Sequence, residues 1–314
     1  MAMPVTPIEI GIDVSQEELV IARSDQAGLE TIANDPAAIR CWLKTLPGPA
    51  RVGVEATNTF HVALVEAAHR ARHTVYVVDG YCLKQYRKAL RGRAKTDASD
   101  ARLLRRYVSR EWPDLRPWSP PSAGYRRLQR LVHRRAVVTQ AKQRLRQSLK
   151  DLPELKQTVA KSLRTLKTLE DRLTQAMQRA LRTHDWRDDA ERCQAIEGIG
   201  EVIAPALVMA FHRGRFRSSD AFIAFIGYDV RVRQSGKYQG QRKLTKQGDP
   251  ELRRLLYLAA MTARRTATWE PYYQRCLDRG LTTTQALVAL ARKLARVAFA
   301  LLKNQTTYVP QTAS

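Results

Sequence analysis

Near its start the chain runs Ile8-Glu9-Ile10-Gly11-Ile12-Asp13-Val14-Ser15, an alternation that then stops, the period-two signature of a strand with one face in a core. Glu18-Leu19-Val20-Ile21-Ala22-Arg23 follows so closely that it must return as a hairpin partner. Asp13 therefore falls at the end of a first strand. Asp35-Pro36 opens a helix through Leu43 with Asp35 as N-cap, and Pro47-Gly48-Pro49 breaks the chain before a strand over Arg51-Val52-Gly53-Val54-Glu55. A helix from Thr59 to Ala71 and a strand over Thr74–Val78 come next. A hairpin followed by alternating helices and strands predicts an α/β domain, a mixed sheet with helices packed on it.

At 314 residues and 44% hydrophobic content, the chain is long enough for two or three packed domains. It has no run of about 18 apolar residues that could span a bilayer. Met1-Ala2-Met3-Pro4 lacks the regions of a signal peptide, so a cytoplasmic protein with no membrane role is expected. Cys41, Cys82, Cys193 and Cys276 are too scattered for a disulfide scaffold or a zinc site and are expected to be inert or buried thiols.

The charge is regional. Residues 1–83 carry 6 Lys and Arg against 10 Asp and Glu, whereas residues 84–150 carry 20 Lys and Arg against only Asp97, Asp100, Glu111 and Asp114, most of the net +24. A basic excess concentrated in this way predicts a polyanion partner, nucleic acid first, because each neutralised phosphate releases counterions. Within the basic stretch Asp97 and Asp100 stand three residues apart, on one face of any helix they share.

From about Tyr81 the pattern is helical, and Trp112-Pro113 to Pro120-Pro121 reads as a linker. Tyr125 to Lys150 is a strongly basic helix, offering Arg126, Arg127, Arg130, Arg134 and Arg135 to phosphates. After a break at Asp151 and Pro153, Leu152, Val159, Leu166, Leu173 and Ala180 recur every seven residues beside a row of Leu149, Leu163 and Met177. That spacing fits a coiled-coil or helical-hairpin arm and equally an amphipathic helix packed on its own domain. Glu197-Gly198-Ile199-Gly200 leads into an apolar helix from Val202 to Phe211, where Gly198 and Gly200 either expose backbone N–H groups to a phosphate or connect two helices. Asp220 to Tyr228 is a short helix, Val230 to Leu244 a polar, basic loop without apolar periodicity, and helices resume at Pro250 to Arg265 and Gln285 to Leu302.

Asp13 and Glu55 at strand ends, with Asp97 and Asp100 on a helix face, can gather into a cluster that repels itself unless Mg²⁺ or Mn²⁺ binds there. Two such ions can clamp a scissile phosphate. Taken singly, each acid also has an ordinary explanation as turn residue, surface acid, N-cap or first-turn acid.

Ile10-Gly11-Ile12-Asp13-Val14-Ser15, Gly53-Val54-Glu55-Ala56-Thr57 and Lys95-Thr96-Asp97-Ala98-Ser99-Asp100-Ala101 together resemble the Asp-Glu-Asp-Asp (DEDD) signature of insertion-sequence transposases with a RuvC-like, ribonuclease-H-type nuclease domain. The likeness implies three parts: a RuvC-like mixed-sheet domain over 1–118, a basic helical or coiled-coil arm over 119–186, and an all-α transposase domain over 187–314. In that family a catalytic serine lies in a Ser-Gly loop ahead of a Lys-x-Gly…Leu-Arg segment. Here Gln234-Ser235-Gly236-Lys237 precedes Lys246-Gln247-Gly248-Asp249-Pro250-Glu251-Leu252-Arg253, so the resemblance places the nucleophile at Ser235. It implies Mg²⁺ on Asp13, Glu55, Asp97 and Asp100, a covalent 5′-phosphoserine intermediate, and strand exchange between donor and target DNA. It further implies a structured guide (bridge) RNA and a homo-oligomer, dimer or tetramer.

Lys95, Arg231, Arg233, Lys237, Arg242 and Lys246 are the cations expected to meet nucleic-acid phosphates beside these motifs. One departure from the family pattern is Asp79-Gly80, where Asn-Pro is expected; Asp79 is a fifth acid near a strand end, which either sits by the metal site or shapes the turn, the second being the preferred reading. Two other functions fit the same residues: a Holliday-junction-type metal-dependent nuclease with no covalent intermediate, and a non-catalytic nucleic-acid-binding protein whose acids are caps and turn residues.

Overall fold

The computed structural model describes residues 7–57, 59–90, 96–231, 234–235, 238–239 and 243–310. It divides at Pro120–Pro121 into two compact units.

The first unit contains strands β1 (Ile8–Val14), β2 (Glu18–Arg23), β3 (Leu29–Ala33), β4 (Ala50–Glu55) and β5 (Thr74–Val78), with helices α1 (Pro36–Lys44), α2 (Val62–Arg70), α3 (Gly80–Ala89) and α4 (Asp97–Glu111). The sheet order is β3-β2-β1-β4-β5; β1 pairs antiparallel with β2 and parallel with β4, which is in turn parallel to β5. This is a mixed sheet consistent with a ribonuclease-H-like fold. Strand β3 continues the hairpin as a third antiparallel strand. It is absent from the sequence expectation because its half-exposed pattern carries little periodicity.

Period-two alternation divides the sheet into two chemically different faces. Ile10, Ile12, Val52 and Val54 are fully buried in one core with Ile39 and Trp42 of α1 and Leu64 and Val65 of α2. The alternate positions Gly11 and Gly53, paired in register, face α4. A Cβ on Gly11 would lie 2.1 Å from the Arg105 backbone nitrogen and 2.2 Å from the Ala101 carbonyl oxygen; one on Gly53 would lie 2.4 Å from Val108 Cγ2. The two glycines thus form a seat into which the backbone of α4 sinks, presenting Ala101, Leu104 and Val108 as its buried stripe. The residues expected to link the units are fastened to the sheet edge, since Trp118 N donates to Val75 O at 2.7 Å and the Trp118 ring meets His69 edge-on.

The second unit contains α5 (Ala123–Ser148), a 3-10 turn at Pro153–Leu155, α6 (Lys156–Thr183), α7 (Arg187–Gln194), α8 (Ile203–Phe211), α9 (Ser219–Phe225), the two-residue strands β6 (Val230–Arg231), β7 (Gln234–Ser235), β8 (Tyr238–Gln239) and β9 (Lys243–Leu244), then α10 (Pro250–Ala263), α11 (Glu270–Asp278) and α12 (Thr283–Asn304). Helices α5 and α6 pack on one another as a hairpin, and Leu128, Leu131, Met177, Ala180 and Leu181 at its inner end share one core with α7 to α12. Helices α7 and α11 are additions to the sequence expectation, and the segment expected as a loop over 230–244 contains paired strands instead, β6 with β9 and β7 with β8. Two-residue strands are too short for any period to register. Among the described residues no helix is long and apolar enough to cross a membrane. Cys193 and Cys276 are buried, whereas Cys41 and Cys82 are exposed.

The helical hairpin contains a buried ion pair. Glu170 is only 2% exposed and is bonded to Lys142 and, at 2.5 Å, to Thr139 Oγ1. Burial pushes the Glu170 carboxyl up, but the bonds from Lys142 and Thr139 and the Lys142 and Arg135 charges outweigh it and leave the pKa below its ordinary value. Removing the cation while keeping its stem, Lys142→Met, is expected to destabilise the protein by about 3 kcal/mol, because a buried carboxylate loses its partner. The depressed carboxyl stabilises the fold above its ordinary pKa of 4.5, and that contribution is lost as pH falls. The deficit of Lys142→Met, read as a lower urea midpoint at neutral pH, should therefore shrink in acid.

Candidate active site

Asp13 stands two residues beyond Gly11 and Glu55 two beyond Gly53, so both carboxylates emerge on the α4 face at the C-terminal ends of adjacent parallel strands. Helix α4 starts at that same end. Thr96 is its N-cap: Thr96 Oγ1 accepts from Ser99 N at 3.2 Å, and Ser99 Oγ accepts from Thr96 N at 2.9 Å. Asp97 is the first helical residue rather than the cap, and Asp100 sits in the same first turn, where backbone N–H groups favour negative charge. Asp97 stands four residues before Ala101 and Asp100 four before Leu104, so the stripe that docks on the glycines carries the two acids to the strand ends.

The four expected acids are therefore brought to one place. Asp13 responds to all of them: burial and then the charges of Asp100, Asp97 and Glu55 push its carboxyl up to about 6, against a smaller lowering by a hydrogen bond from the Val14 backbone. Asp100 is buried, ion-paired with Arg87 of α3, and accepts from Ser99 Oγ at 3.1 Å. Asp97 is exposed, and Glu55 is half-buried.

Among the described residues, no three His, Cys, Asp or Glu side chains are gathered tightly enough to hold one ion. The donor set is nevertheless all carboxylate, with mutual repulsion that a hard divalent cation would relieve, so the residues fit such an ion chemically.

Two contributors escape the sequence reading. A Cβ on Gly80 would lie 2.4 Å from Glu55 Oε1, so the missing side chain leaves room for that carboxylate. The departure from the family pattern at Asp79-Gly80 was the available signal. Asp79 itself shapes the turn as expected: it caps α3, with Oδ1 accepting from Tyr81 N at 2.9 Å and Cys82 N at 3.3 Å. Arg87 is the other, one cation among many in its stretch, with no spacing that marks it.

In the second unit, Ser235 lies in β7, its backbone paired with Tyr238. Lys95, Arg233, Lys237 and Arg242 lie outside the described residues. The root of the serine hairpin is tightly built. Thr245 N donates to Asp229 O at 3.0 Å, and Thr245 Oγ1 bonds the Asp229 carboxylate, closing the base beside the Val230–Leu244 pair. Gly248, at φ +153°, approaches Phe225 O so closely that a Cβ would sit 2.6 Å away, and Arg253 Nη1 donates to Gly248 O at 2.8 Å. The Lys-x-Gly…Leu-Arg segment thus fixes the chain where it leaves β9, and Leu252 anchors its end in the helical core. Arg253→Ala is expected to leave DNA affinity nearly unchanged but slow strand transfer about 100-fold by misplacing the hairpin. Equal loss of affinity and rate would refute a positioning role.

The remaining expected contacts are varied. Arg126, Arg127, Arg130 and Arg134 are exposed on α5, whereas Arg135 turns inward and donates from Nε to Thr174 Oγ1 at 2.9 Å. Arg231 and Lys246 are exposed, the latter at φ +58°. Gly198, at φ +90°, is pressed against α10, where a Cβ would lie 2.5 Å from Ala259 O; Gly200 has open space around it. Gly198 is thus a helix-packing position.

A mixed sheet with acids at its parallel strand ends and at the N-terminus of one docked helix is consistent with the ribonuclease-H-like class of polynucleotide enzymes. The comparisons make this particular. Residues 10–158 match the DEDD transposase model of the IS110 type, and residues 190–274 match the transposase model of the IS116/IS110/IS902 family. The chain belongs to this family of insertion-element transposases. It is 28% identical over 268 residues to the pilin gene-inverting protein of Moraxella bovis, covering 81% of this chain and 80% of the relative. It is 29% identical to a probable family 20 transposase of Pseudomonas aeruginosa, covering 87% and 90%. The protein is thus a DNA transposase/recombinase, and the carboxylates of the matched DEDD family suit a divalent metal.

Proposed function

We propose that this transposase cuts and rejoins DNA through a covalent 5′-phosphoserine at Ser235, with Mg²⁺ or Mn²⁺ held by Asp13, Glu55, Asp97 and Asp100, and that a structured guide RNA selects donor and target. The observation that carries the reading is the arrival of all four acids at one end of the sheet, on the face that seats α4. Two relatives named for inverting a pilin gene support site-specific recombination rather than degradation of DNA.

In this reading Ser235 Oγ attacks a scissile phosphorus, its proton passes to an acceptor, and the 3′-oxygen leaves as a hydroxyl. The phosphodiester is conserved as a serine ester. Attack by a second 3′-hydroxyl on that ester restores a DNA linkage and returns the proton to the serine. A divalent ion, when bound by the carboxylates, would supply charge neutralisation at a phosphate. The carboxylates orient that ion, and the exposed arginines of α5 hold backbone phosphates in register. A protein that leaves base reading to a paired RNA needs cations for backbone and shape more than base-edge readers. The protein is expected to act as a homo-oligomer on donor and target DNA.

The decisive experiment is to denature a reaction on labelled DNA and look for a protein–DNA adduct. It should be present in wild type, absent in Ser235→Ala, and mapped to Ser235 by mass spectrometry. Cutting that persists in Ser235→Ala without an adduct would leave a metal-dependent nuclease instead. RNA co-purifying with the protein tests the guide separately.

A further inference from the structure

Helix α12 carries Arg292 and Arg296 four residues apart, one above the other on the same face. Arg296 is satisfied: Nη1 donates to Ser219 Oγ at 2.9 Å, and Nη2 is ion-paired with Asp220. Arg292 is not, for its Nε is buried and has no hydrogen-bond partner among the described residues. The two acids near enough to influence it are engaged elsewhere, Asp220 with Arg296 and Asp229 with Thr245. Tyr272 of α11 also borders the group, with its own phenol under the influence of Arg292 and Arg279.

A buried donor left unmade beside a second guanidinium is a place that favours an anion. Burial, and after it the Arg296 charge, lower the pKa of the Arg292 guanidinium. The planar fork of arginine matches the oxygens of a phosphate, and Asp229, whose charge reaches it, stands directly before β6, the root of the serine hairpin. We propose that Arg292, with Arg296 beside it, binds a backbone phosphate of the DNA substrate where the strand passes the root of the hairpin. The inference rests on the reading that DNA is the substrate and meets the serine hairpin, and the salt slope reads the contact separately from the covalent adduct.

The test is the salt dependence of binding of the full-length protein to a random-sequence DNA duplex, read by fluorescence anisotropy. One phosphate contact contributes about 0.9 to the slope of log affinity against log salt, so Arg292→Gln should flatten the slope by about 1 and weaken binding uniformly across sequences. Arg275→Gln, which removes an exposed cation of α11, should leave the slope nearly unchanged. An unchanged slope in Arg292→Gln, or an equal fall in Arg275→Gln, overturns the site. A fall seen with an RNA hairpin probe and not with the duplex also overturns the DNA assignment. Should Arg292→Gln fail to fold, Arg292→Lys decides: charge without the fork should keep the wild-type slope with affinity reduced several-fold, and wild-type affinity would refute the proposal.

Discussion

Asp13→Asn is expected to abolish strand transfer while making the metal-free protein more stable. The loss of activity should be about 10⁴-fold, the scale on which removing one member of a catalytic unit acts. The gain in stability follows from electrostatics. The carboxyl of Asp13 is raised to about 6 by burial and by Asp100, Asp97 and Glu55, so the folded state disfavours its charged form. A carboxyl raised in the folded state contributes stability below its unfolded pKa, near 3.8, and that contribution is lost as pH climbs through about 6. At pH 7.5 the repulsion is therefore fully present, and a neutral asparagine removes it. Because Asp13 is half-exposed, solvent screening cuts the effect to about 1 kcal/mol, or about 2–4 °C in Tm. At pH 4 the variant and wild type should nearly coincide. Adding Mg²⁺ or Mn²⁺ should raise the wild-type Tm more than that of Asp13→Asn, since binding to the folded state adds stability by mass action. Calorimetry across pH with and without metal measures both effects, and a variant less stable than wild type at pH 7.5 would contradict the reading.

How much of this was legible in the sequence depends on the length scale of each signal. Asp13 and Glu55 could be placed because a period-two run that stops on an acid marks a strand end. Asp97 and Asp100 could be paired because three residues is nearly one helical turn. What no periodicity reveals is why the strand ends and the helix meet. Gly11 and Gly53 read only as members of strands, and their role depends on a register between β1 and β4 that brings two absent side chains together. Arg87 was hidden for the opposite reason, since a single arginine in a region crowded with cations has nothing to distinguish it until Asp100 is seen beside it. The serine segment read as a loop without apolar periodicity because its strands are two residues long and the bonds that hold its root, Thr245 to Asp229 and Arg253 to Gly248, follow no hydrophobic period.

Substituting the glycine seat should have the largest effect on the fold of the first unit. In Gly11→Val the new Cβ would fall 2.1 Å from Arg105 N and 2.2 Å from Ala101 O, and both are backbone atoms of a helix that cannot swing aside as a side chain can. Overpacking in a core that adjusts costs about 1–3 kcal/mol, and here adjustment means lifting α4 from the sheet, so about 3 kcal/mol or more is expected. Gly11→Ala introduces the same Cβ and should already displace α4. Since Asp97 and Asp100 ride on the first turn of that helix while Asp13 and Glu55 stay on the strands, strand transfer should fall in Gly11→Ala even where the protein still folds. Gly28→Ala is the matched control, because a Cβ there meets nothing within 4 Å. Urea midpoints and strand-transfer rates for the three variants separate the possibilities. If Gly11→Ala retained wild-type activity, the close approach of α4 to β1 would not be what assembles the four acids.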